Sequence, residues 1–347
     1  MAYTGVREDF LACAEGRKPR RMPLFALGLE FDYRRAGLSY RAMRHDVEGM
    51  VRSQVQAVRD YDYDWAIIFP DDYIEFEHLG LEMRDDEDHP AMPSRYLPMD
   101  RDTLRRFTIP DFNRAMRCPV HLEMLRRTKQ ALGDSVLVMG RIAAPFSTLG
   151  LIYGIDELMY RMVIEPDLVR DNMRFFVDHQ IAFGKAQVEA GADLLWLGDC
   201  CSASKFISLR HFMEFAFEPA ARVAEALRKT GALLIFHNNE TETPYLKEQV
   251  HLPVHAVNVG EGPRIADIKR EIQPRIALMG NFDPAMLRDS APALVAATAE
   301  RMVRDNLPGG RYMFNTGEGV MQNSRPENVL AMVTAVRRIG DRAKELV

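Results

Sequence analysis

The stretch ALLIFHNNETETPYL, residues 232–246, changes character at its middle. Five apolar residues, 232–236, form the kind of run that is typical of a buried strand. Four polar residues, HNNE at 237–240, follow directly, and Pro244 then interrupts the pattern. A buried strand that ends in a polar cluster is expected in an α/β barrel, where chemistry lies at the carboxyl ends of the strands.

The rest of the chain repeats this alternation. Short apolar runs are separated by longer segments of helical period, and each run is nearly continuous, as in parallel strands buried on both faces. Helix boundaries are recognisable, because Pro166 opens a helix that ends at Gly191, Ser208 caps one that ends at Gly231, and Pro326 opens the last. The eight predicted strands span residues 22–28, 65–69, 136–140, 193–198, 232–236, 255–259, 276–280 and 311–315.

Eight strands with intervening helices predict an α/β fold of the (β/α)8 TIM barrel type, with an open doubly wound sheet as the alternative. We interpret residues 1–347 as a single domain of this kind. Residues 73–120, between the second and third strands, carry an acidic run and several prolines. They predict an insertion, with a hairpin and a short helix, over one end of the barrel.

Composition and charge narrow the classes of partner. The formal net charge is -5 at pH 7 without a basic block, so neither nucleic acid nor an anionic membrane is an expected partner. No apolar run approaches the roughly 18 residues that span a bilayer, and no signal peptide is recognisable, which predicts a cytoplasmic protein. Four cysteines are too few for a disulfide framework, which leaves the adjacent Cys200 and Cys201 as candidate ligands or cavity-lining residues.

Polar residues follow nearly every predicted strand. Because Asp and Asn also cap helices and shape turns, each one alone is weak support for a site. The polar candidates, in chain order, are Asp71, Arg141, Asp199, Cys201, His237, Asn239, Asn258, Asn281, Asn315 and Glu318. Aromatic residues at the same strand ends could sandwich an aromatic ring, with packing in the barrel as the alternative. These are Phe69, Tyr73, Phe146, Trp196 and Phe282.

Several stretches resemble the uroporphyrinogen decarboxylase superfamily, and within it the branch of cobalamin-dependent methyltransferases. They are AAPFSTLGLIYG (143–154), EAGADLLWLGDCCSASKFIS (189–208), the H-x-N after the fifth strand, GNFDP (280–284), FNTGEGV (314–320) and RPENVLAMVTAVR (325–337). The resemblance implies a (β/α)8 barrel with its active site in a deep cleft at the carboxyl face.

Decarboxylation is one chemistry that the resemblance implies. Decarboxylases of this family bind a tetrapyrrole with eight carboxylates, through an arginine pair after the first strand and an aspartate after the second. Asp71, or its neighbour Asp72, fills the aspartate position, but Gly28 and Asp32 stand where the cations are needed. This makes a poor clamp for a polyanion, so decarboxylation is the alternative function.

Methyl transfer is the other chemistry. Family members that methylate thiols are described by a zinc site of one histidine and two cysteines. His237 matches the histidine, whereas Asn239 and Glu318 stand at the cysteine positions. Without the two thiolates, the remaining donors are harder ligands in the Lewis acid–base sense. Zinc also binds imidazole and carboxylate, so the resemblance implies a zinc ion on His237 and Glu318. Candidates for the third contact, with Cys201 taken first, are Cys200, Cys201, Asp199 and Asn239.

The sequence therefore predicts transfer of an oxygen-bound methyl group, such as that of an aryl methyl ether, to the Co(I) corrinoid of a separate partner protein. Zinc would act as a Lewis acid on the ether oxygen, and without metal Glu318 or His237 would be the general acid, with Asp71 as a further catalytic residue. A non-catalytic barrel that binds a corrinoid or tetrapyrrole is a second alternative, and a homodimer is an expected assembly. The predicted substrate-binding residues are Asn239, Asp199, Arg141, Tyr73, Phe146, Trp196, Asn281 and Asn315.

Overall fold

The computed structural model describes residues 3–342, so residues 1–2 and 343–347 of the predicted domain lie outside the described part. Within it, eight parallel strands form a barrel and two short strands form an antiparallel hairpin. The strands are β1 (Leu24–Phe25), β2 (Trp65–Ile67), β3 (Met83–Arg84), β4 (Met92–Pro93), β5 (Leu137–Ala143), β6 (Leu194–Gly198), β7 (Leu233–Glu240), β8 (Ala256–Val259), β9 (Ala277–Phe282) and β10 (Tyr312–Thr316). Each predicted strand overlaps one barrel strand, and the predicted (β/α)8 barrel is confirmed.

The barrel is closed where the ladder of paired strands ends. The paired order runs β1-β10-β9-β8-β7-β6-β5-β2, which leaves β1 and β2 at its two ends. There the amide of Asp64 donates to the carbonyl of Leu24 at 3.1 Å, and the amide of Leu24 donates to the Asp64 carboxylate at 2.7 Å. The indole N–H of Trp65 donates to the carbonyl of Ala26 at 2.7 Å. These three hydrogen bonds join β1 to the β2 region, where the regular pairing of parallel strands ends.

Helices surround the barrel and follow most of its strands. Proline opens several of them, as at Pro166, where the first N–H of a helix needs no partner. The helix predicted from Ser208 to Gly231 is interrupted by a π-helical turn at Phe212–Phe217. The helices are α1 (Val6–Ala14), α2 (Leu29–Arg35), α3 (Tyr40–His45), α4 (Val47–Tyr61), α5 (Arg101–Arg106), α6 (Cys118–Leu132), α7 (Pro145–Tyr153), α8 (Ile155–Ile164), α9 (Pro166–Glu189), α10 (Leu209–His211), α11 (Glu218–Arg228), α12 (Thr243–Gln249), α13 (Ile265–Ile272), α14 (Ala285–Asp289), α15 (Pro292–Asn306) and α16 (Pro326–Arg342).

The predicted insertion is present between β2 and β5. It contains the β3–β4 hairpin, the short helix α5 and a 3-10 turn at Glu77–Leu79. The tip of the hairpin supplies Pro90 and Ala91 to the wall of a cavity at the carboxyl face of the barrel. The insertion therefore covers that end of the barrel, as the sequence predicts.

An aromatic column fills the barrel below the cavity. The rings of Phe25 and Trp65 lie 5.0 Å apart, and those of Trp65 and Trp196 lie 5.8 Å apart in an edge-on arrangement. Rings of this size bury much apolar area, and their packing gives the strands a rigid interior on which side chains at the carboxyl ends are held. Among residues 3–342, no helix is long and apolar enough to cross a membrane.

Candidate active site

A cavity of about 390 Å³ opens at the carboxyl ends of the barrel strands. Six of the predicted site residues line it, which are Asp71, Arg141, Trp196, Cys201, His237 and Glu318. Most of its remaining wall is apolar or aromatic, with Leu27, Leu29, Tyr33, Tyr40, Met43, Phe69, Met139 and Leu151 among the lining residues. A concave, mostly apolar cavity with a few convergent polar groups is the usual form of a small-molecule site.

His237 lies at the carboxyl end of β7, with its ring against the cavity. Its imidazole packs against the indole of Trp196 in a tilted arrangement, with ring centroids 4.8 Å apart, and the strand of Trp196 is the neighbour of β7. Nδ1 lies 2.8 Å from Oδ1 of Asn258, and Nε2 lies 3.9 Å from Oε2 of Glu318. The His237 side chain is 6% exposed and that of Glu318 is 45% exposed, so the pair joins a buried imidazole to a carboxylate that meets solvent.

Arg141 lies on β5, two strands from His237 in the barrel, and its charge is already paired with carboxylates. Its Nη1 lies 3.0 Å from both carboxylate oxygens of Glu75, its Nη2 lies 3.2 Å from Asp72, and its guanidinium packs over the ring of Phe69. Burial raises the pKa of Glu75 to about 7, an effect that the nearby Arg141 only partly offsets. The one guanidinium in the cavity wall is therefore committed to carboxylates of the protein itself.

Asp71 is held in a buried network of charged side chains. Its Oδ2 accepts from Arg44 Nε at 2.9 Å and from Arg117 Nη2 at 2.8 Å, while its Oδ1 accepts the amide N–H of Tyr73 at 2.7 Å. Burial alone would raise the pKa of Asp71, but the charges of Arg117 and Arg44 outweigh it and lower that pKa. Both oxygens are occupied, so Asp71 meets the cavity as an ionised, anchored group.

Six predicted substrate-binding residues do not line the cavity. Asp199 accepts the amide N–H of Ser147 at 2.9 Å, near the start of α7, and burial raises its pKa to about 6. Asn281 donates to the main-chain carbonyls of Gly260 and Pro263. Tyr73 and Phe146 are buried in the packing around the barrel. Asp199 therefore holds the start of α7, and Asn281 holds the loop that contains Gly260 and Pro263.

The other two asparagines, Asn239 and Asn315, also lie outside the cavity lining. Asn239 has a positive φ of 55°, at the irregular register between β7 and β8. The side-chain oxygen of Asn239 lies close to Gly260. A Cβ atom at residue 260 would lie only 2.5 Å from this oxygen, so the close approach requires glycine at residue 260. Asn315 is fully buried and accepts from Asn258 Nδ2 at 2.8 Å.

The donor set does not form a zinc site as it stands. Protein zinc sites normally use three or four protein ligands, and within residues 3–342 no three His, Cys, Asp or Glu side chains are grouped to hold a metal. His237 Nε2 and Glu318 Oε2, 3.9 Å apart, offer two donors. Cys201 lies beside Ser147, whose hydroxyl accepts its amide N–H at 3.0 Å. Zinc binding at His237 and Glu318 therefore remains a prediction.

The family profile described as "Uroporphyrinogen decarboxylase (URO-D)" matches residues 6–339. The chain belongs to the uroporphyrinogen decarboxylase family. A uroporphyrinogen decarboxylase of Anaeromyxobacter dehalogenans is 26% identical over 360 residues, covering 95% of this chain and 98% of that protein. One of a Mycobacterium species is 28% identical over 376 residues, covering 95% and 97%. In structure, a methyltransferase from Methanosarcina mazei is similar with a TM-score of 0.85 at 19% identity, covering 97% of this chain and 99% of that one.

Local sequence did not predict every residue that shapes this site. Glu75, Arg44 and Arg117 position Arg141 and Asp71, but they lie in helices and loops whose charges give no local signal. Asn258 was visible as a polar residue in the sixth strand, although its contact with His237 depends on the pairing of β7 with β8.

Proposed function

We propose that this protein is a methyltransferase that moves an oxygen-bound methyl group from a small methoxylated substrate to the Co(I) corrinoid of a partner protein. The charge of the cavity supports this choice over decarboxylation. Four carboxylates line it, those of Glu30, Asp71, Asp72 and Glu318, and its single guanidinium is paired with the protein's own acids. A substrate with eight carboxylates would meet like charges there.

The size and the walls of the cavity favour a small ring. A volume of about 390 Å³ lies at the lower end of the roughly 300–1,000 Å³ that ligand cavities span. Tyr33, Tyr40, Phe69 and Trp196 contribute aromatic rings to the wall. These dimensions suit a substrate of one or two rings better than a tetrapyrrole. The excess of carboxylates over guanidinium groups in the described cavity wall favours a neutral or cationic substrate.

The chemistry requires a proton at the leaving oxygen. The corrinoid supplies a Co(I) nucleophile that accepts the methyl group. The C–O bond breaks with its electron pair left on oxygen, and that oxygen takes a proton to become a hydroxyl. His237 in its imidazolium form keeps one N–H on Asn258 and can donate the other, on Nε2, toward the cavity. Glu318, 3.9 Å from Nε2, stabilises that cation.

Decarboxylation is the competing candidate, because the relatives at 26% and 28% identity bear that name and Asp71 stands at the family's aspartate position. The likeness in fold to the M. mazei methyltransferase is compatible with either activity.

The test presents both substrates to one preparation. The purified protein is incubated with a Co(I) corrinoid protein and a panel of methoxylated aromatics, and methylation of the corrinoid is followed by absorbance. Uroporphyrinogen is incubated in parallel and its products are separated by chromatography. We expect corrinoid methylation with at least one methoxylated ring, abolished in His237→Gln, and unchanged uroporphyrinogen. Conversion of uroporphyrinogen to coproporphyrinogen would overturn the proposal.

A further inference from the structure

A chain of buried hydrogen bonds runs from His237 across the barrel. His237 Nδ1 lies 2.8 Å from Asn258 Oδ1, and Asn258 Nδ2 donates to Asn315 Oδ1 at 2.8 Å. Asn315 Nδ2 donates in turn to the main-chain carbonyl of Phe25. The four residues lie on β7, β8, β10 and β1, and each is 5% exposed or less. The chain therefore links four strands without contact with solvent.

The last acceptor fixes the direction of every bond in this chain. A main-chain carbonyl oxygen can only accept, so Asn315 must present its NH₂ group to Phe25 and its oxygen to Asn258. Asn258 must then present its NH₂ group to Asn315 and its oxygen to His237. An oxygen opposite Nδ1 requires a proton on Nδ1.

The reverse arrangement is penalised. If Nδ1 lacked its proton, Asn258 would have to turn its amide, and Asn315 would have to turn as well. The oxygen of Asn315 would then face the carbonyl oxygen of Phe25, leaving two buried acceptors in contact with no donor between them. Buried polar groups that lose their partners carry a full desolvation cost, so the observed direction is strongly preferred.

We propose that Asn258 and Asn315 are positioning residues that hold the Nδ1 proton of His237, so that proton exchange at this imidazole is confined to Nε2. Nε2 is the nitrogen that faces Glu318 and the cavity. The inference rests on the proposed role of His237 in the reaction, and it extends that role to two residues that do not line the cavity. Asn315 acts at a distance, through Asn258.

The experiment reads the imidazole directly. The protein is labelled with ¹⁵N at its nine histidines, and the His237 resonances are assigned by their loss in His237→Gln. At pH 8 the protonated and unprotonated nitrogens of a neutral imidazole resonate far apart, so the spectrum reports the tautomer. We expect Nδ1–H alone in the wild type. Asn315→Leu, which leaves His237 and Asn258 in place, should introduce the Nε2–H form.

Activity and a rescue variant complete the test. Asn258→Leu and Asn315→Leu should lower kcat for methyl transfer by about 10- to 100-fold, the usual cost of removing a group that orients a reacting imidazole, with little change in KM. Asn258→Asp keeps an acceptor opposite Nδ1 and should retain the Nδ1–H form. Asn281→Leu is the matched control, because this asparagine bonds to the carbonyls of Gly260 and Pro263 instead. It should leave the His237 spectrum unchanged.

Two results would overturn the inference, namely an Nε2–H tautomer in the wild type or an unchanged tautomer in folded Asn315→Leu. Both are measured without substrate. An Nδ1–H imidazole that responds to Asn315→Leu supports the inference even where no methoxylated ring reacts, and the absence of turnover would then count against the proposed function alone.

Discussion

At the scale of single residues, the side chain of His237 contributes more to packing than that of Glu318. His237 packs against the ring of Trp196 and is hydrogen-bonded to Asn258, so its loss would disturb packing as well as chemistry. Glu318 is 45% exposed, and its Oε1 accepts the amide N–H of Gly319 within its own loop. Replacement of Glu318 therefore separates catalysis from stability more cleanly than replacement of His237.

We predict that Glu318→Gln lowers the rate of methyl transfer by about 100-fold or more, the scale of general acid–base assistance, and leaves the melting temperature unchanged. The amide keeps the shape of the side chain but cannot stabilise the His237 imidazolium. Glu261→Gln is the matched control, because Glu261 carries a nearby carboxylate that does not line the cavity. Turnover in Glu318→Gln equal to that of Glu261→Gln would remove Glu318 from the mechanism.

His179 is a buried residue whose titration opposes folding in acid. Its ring stacks near those of Phe76 and His78, and neither ring nitrogen has a hydrogen-bond partner. Burial lowers the pKa of His179 to about 3. A histidine in the unfolded chain titrates near pH 6.5. Between about pH 6.5 and pH 3 the unfolded state therefore binds a proton that the folded state does not bind, so the free energy of unfolding falls as the pH drops through this range.

We predict that His179→Phe removes this loss of folding stability in acid. Because phenylalanine does not titrate, the stability of the variant relative to the wild type should rise as pH falls, by on the order of 2–3 kcal/mol between pH 7 and pH 4. Any cost of fitting the larger ring is the same at both values of pH. Thermal melts over this range measure the difference, with His251→Phe, at an exposed position, as the control. A difference that does not depend on pH would contradict the prediction.

At the scale of elements, the opening stretch divides its four polar residues among four tasks. His237 lines the cavity, Asn238 donates to Ser202, and Asn239 makes the left-handed turn that ends the regular pairing with β8. Glu240 accepts from both the amide and the hydroxyl of Ser204, which holds the loop after β6. Of the four, only His237 lines the cavity, and the other three hold the loops and the strand end behind it.

The insertion is a second element that depends on buried charge. Arg117, at the start of α6, joins Asp71 after β2 to Glu77 in the insertion. Arg44 of α3 contacts the same two carboxylates and also Asp85 beside the hairpin. Removal of one partner from such a network leaves a buried charge without compensation.

We predict that Arg117→Met destabilises the protein by about 3 kcal/mol, the usual cost of breaking a buried ion pair, and exposes the insertion to protease. Urea unfolding and limited chymotrypsin digestion measure the two effects. Arg114→Met is the matched control, because Arg114 lies three residues earlier in the chain with a side chain that is 87% exposed, against 13% for Arg117. Equal sensitivity of the two variants would mean that the network does not hold the insertion.

At the scale of the whole molecule, carboxylates outnumber guanidinium groups in the described wall of the cavity, and we expect this charge to affect which substrates bind. The side chain of Asp72 is 52% exposed there, and Glu318 raises the pKa of the neighbouring Glu261, although burial contributes more to that shift. Arg141, Arg44 and Arg117 are paired with acids of the protein. An anionic substrate would enter a field of its own sign.

We predict that the protein prefers neutral or cationic rings over anionic ones. Three compounds share the 4-hydroxy-3-methoxyphenyl ring and differ in the side chain, which is an ethylamine, an ethanol or an acetate. The acetate should bind at least about tenfold more weakly than the alcohol, since each like-charge contact costs on the order of 1 kcal/mol even in water. Asp72→Asn should reduce the difference in affinity between the acetate and the alcohol. Calorimetry measures the affinities, and tightest binding by the acetate would contradict the charge argument.

The sequence by itself determined the barrel, because apolar runs of strand length and proline-marked helix starts are local features. It also determined that His237 and Glu318 stand at strand ends. Which strand-end side chains face the cavity was decided only by the tertiary structure. Asn315 reaches Phe25, 290 residues away in the chain, and Arg117 reaches Asp71 across 46 residues. Such partners depend on strand register and on the path of the insertion. Strands that are buried on both faces are continuous apolar runs, so they lack the alternation that would specify register.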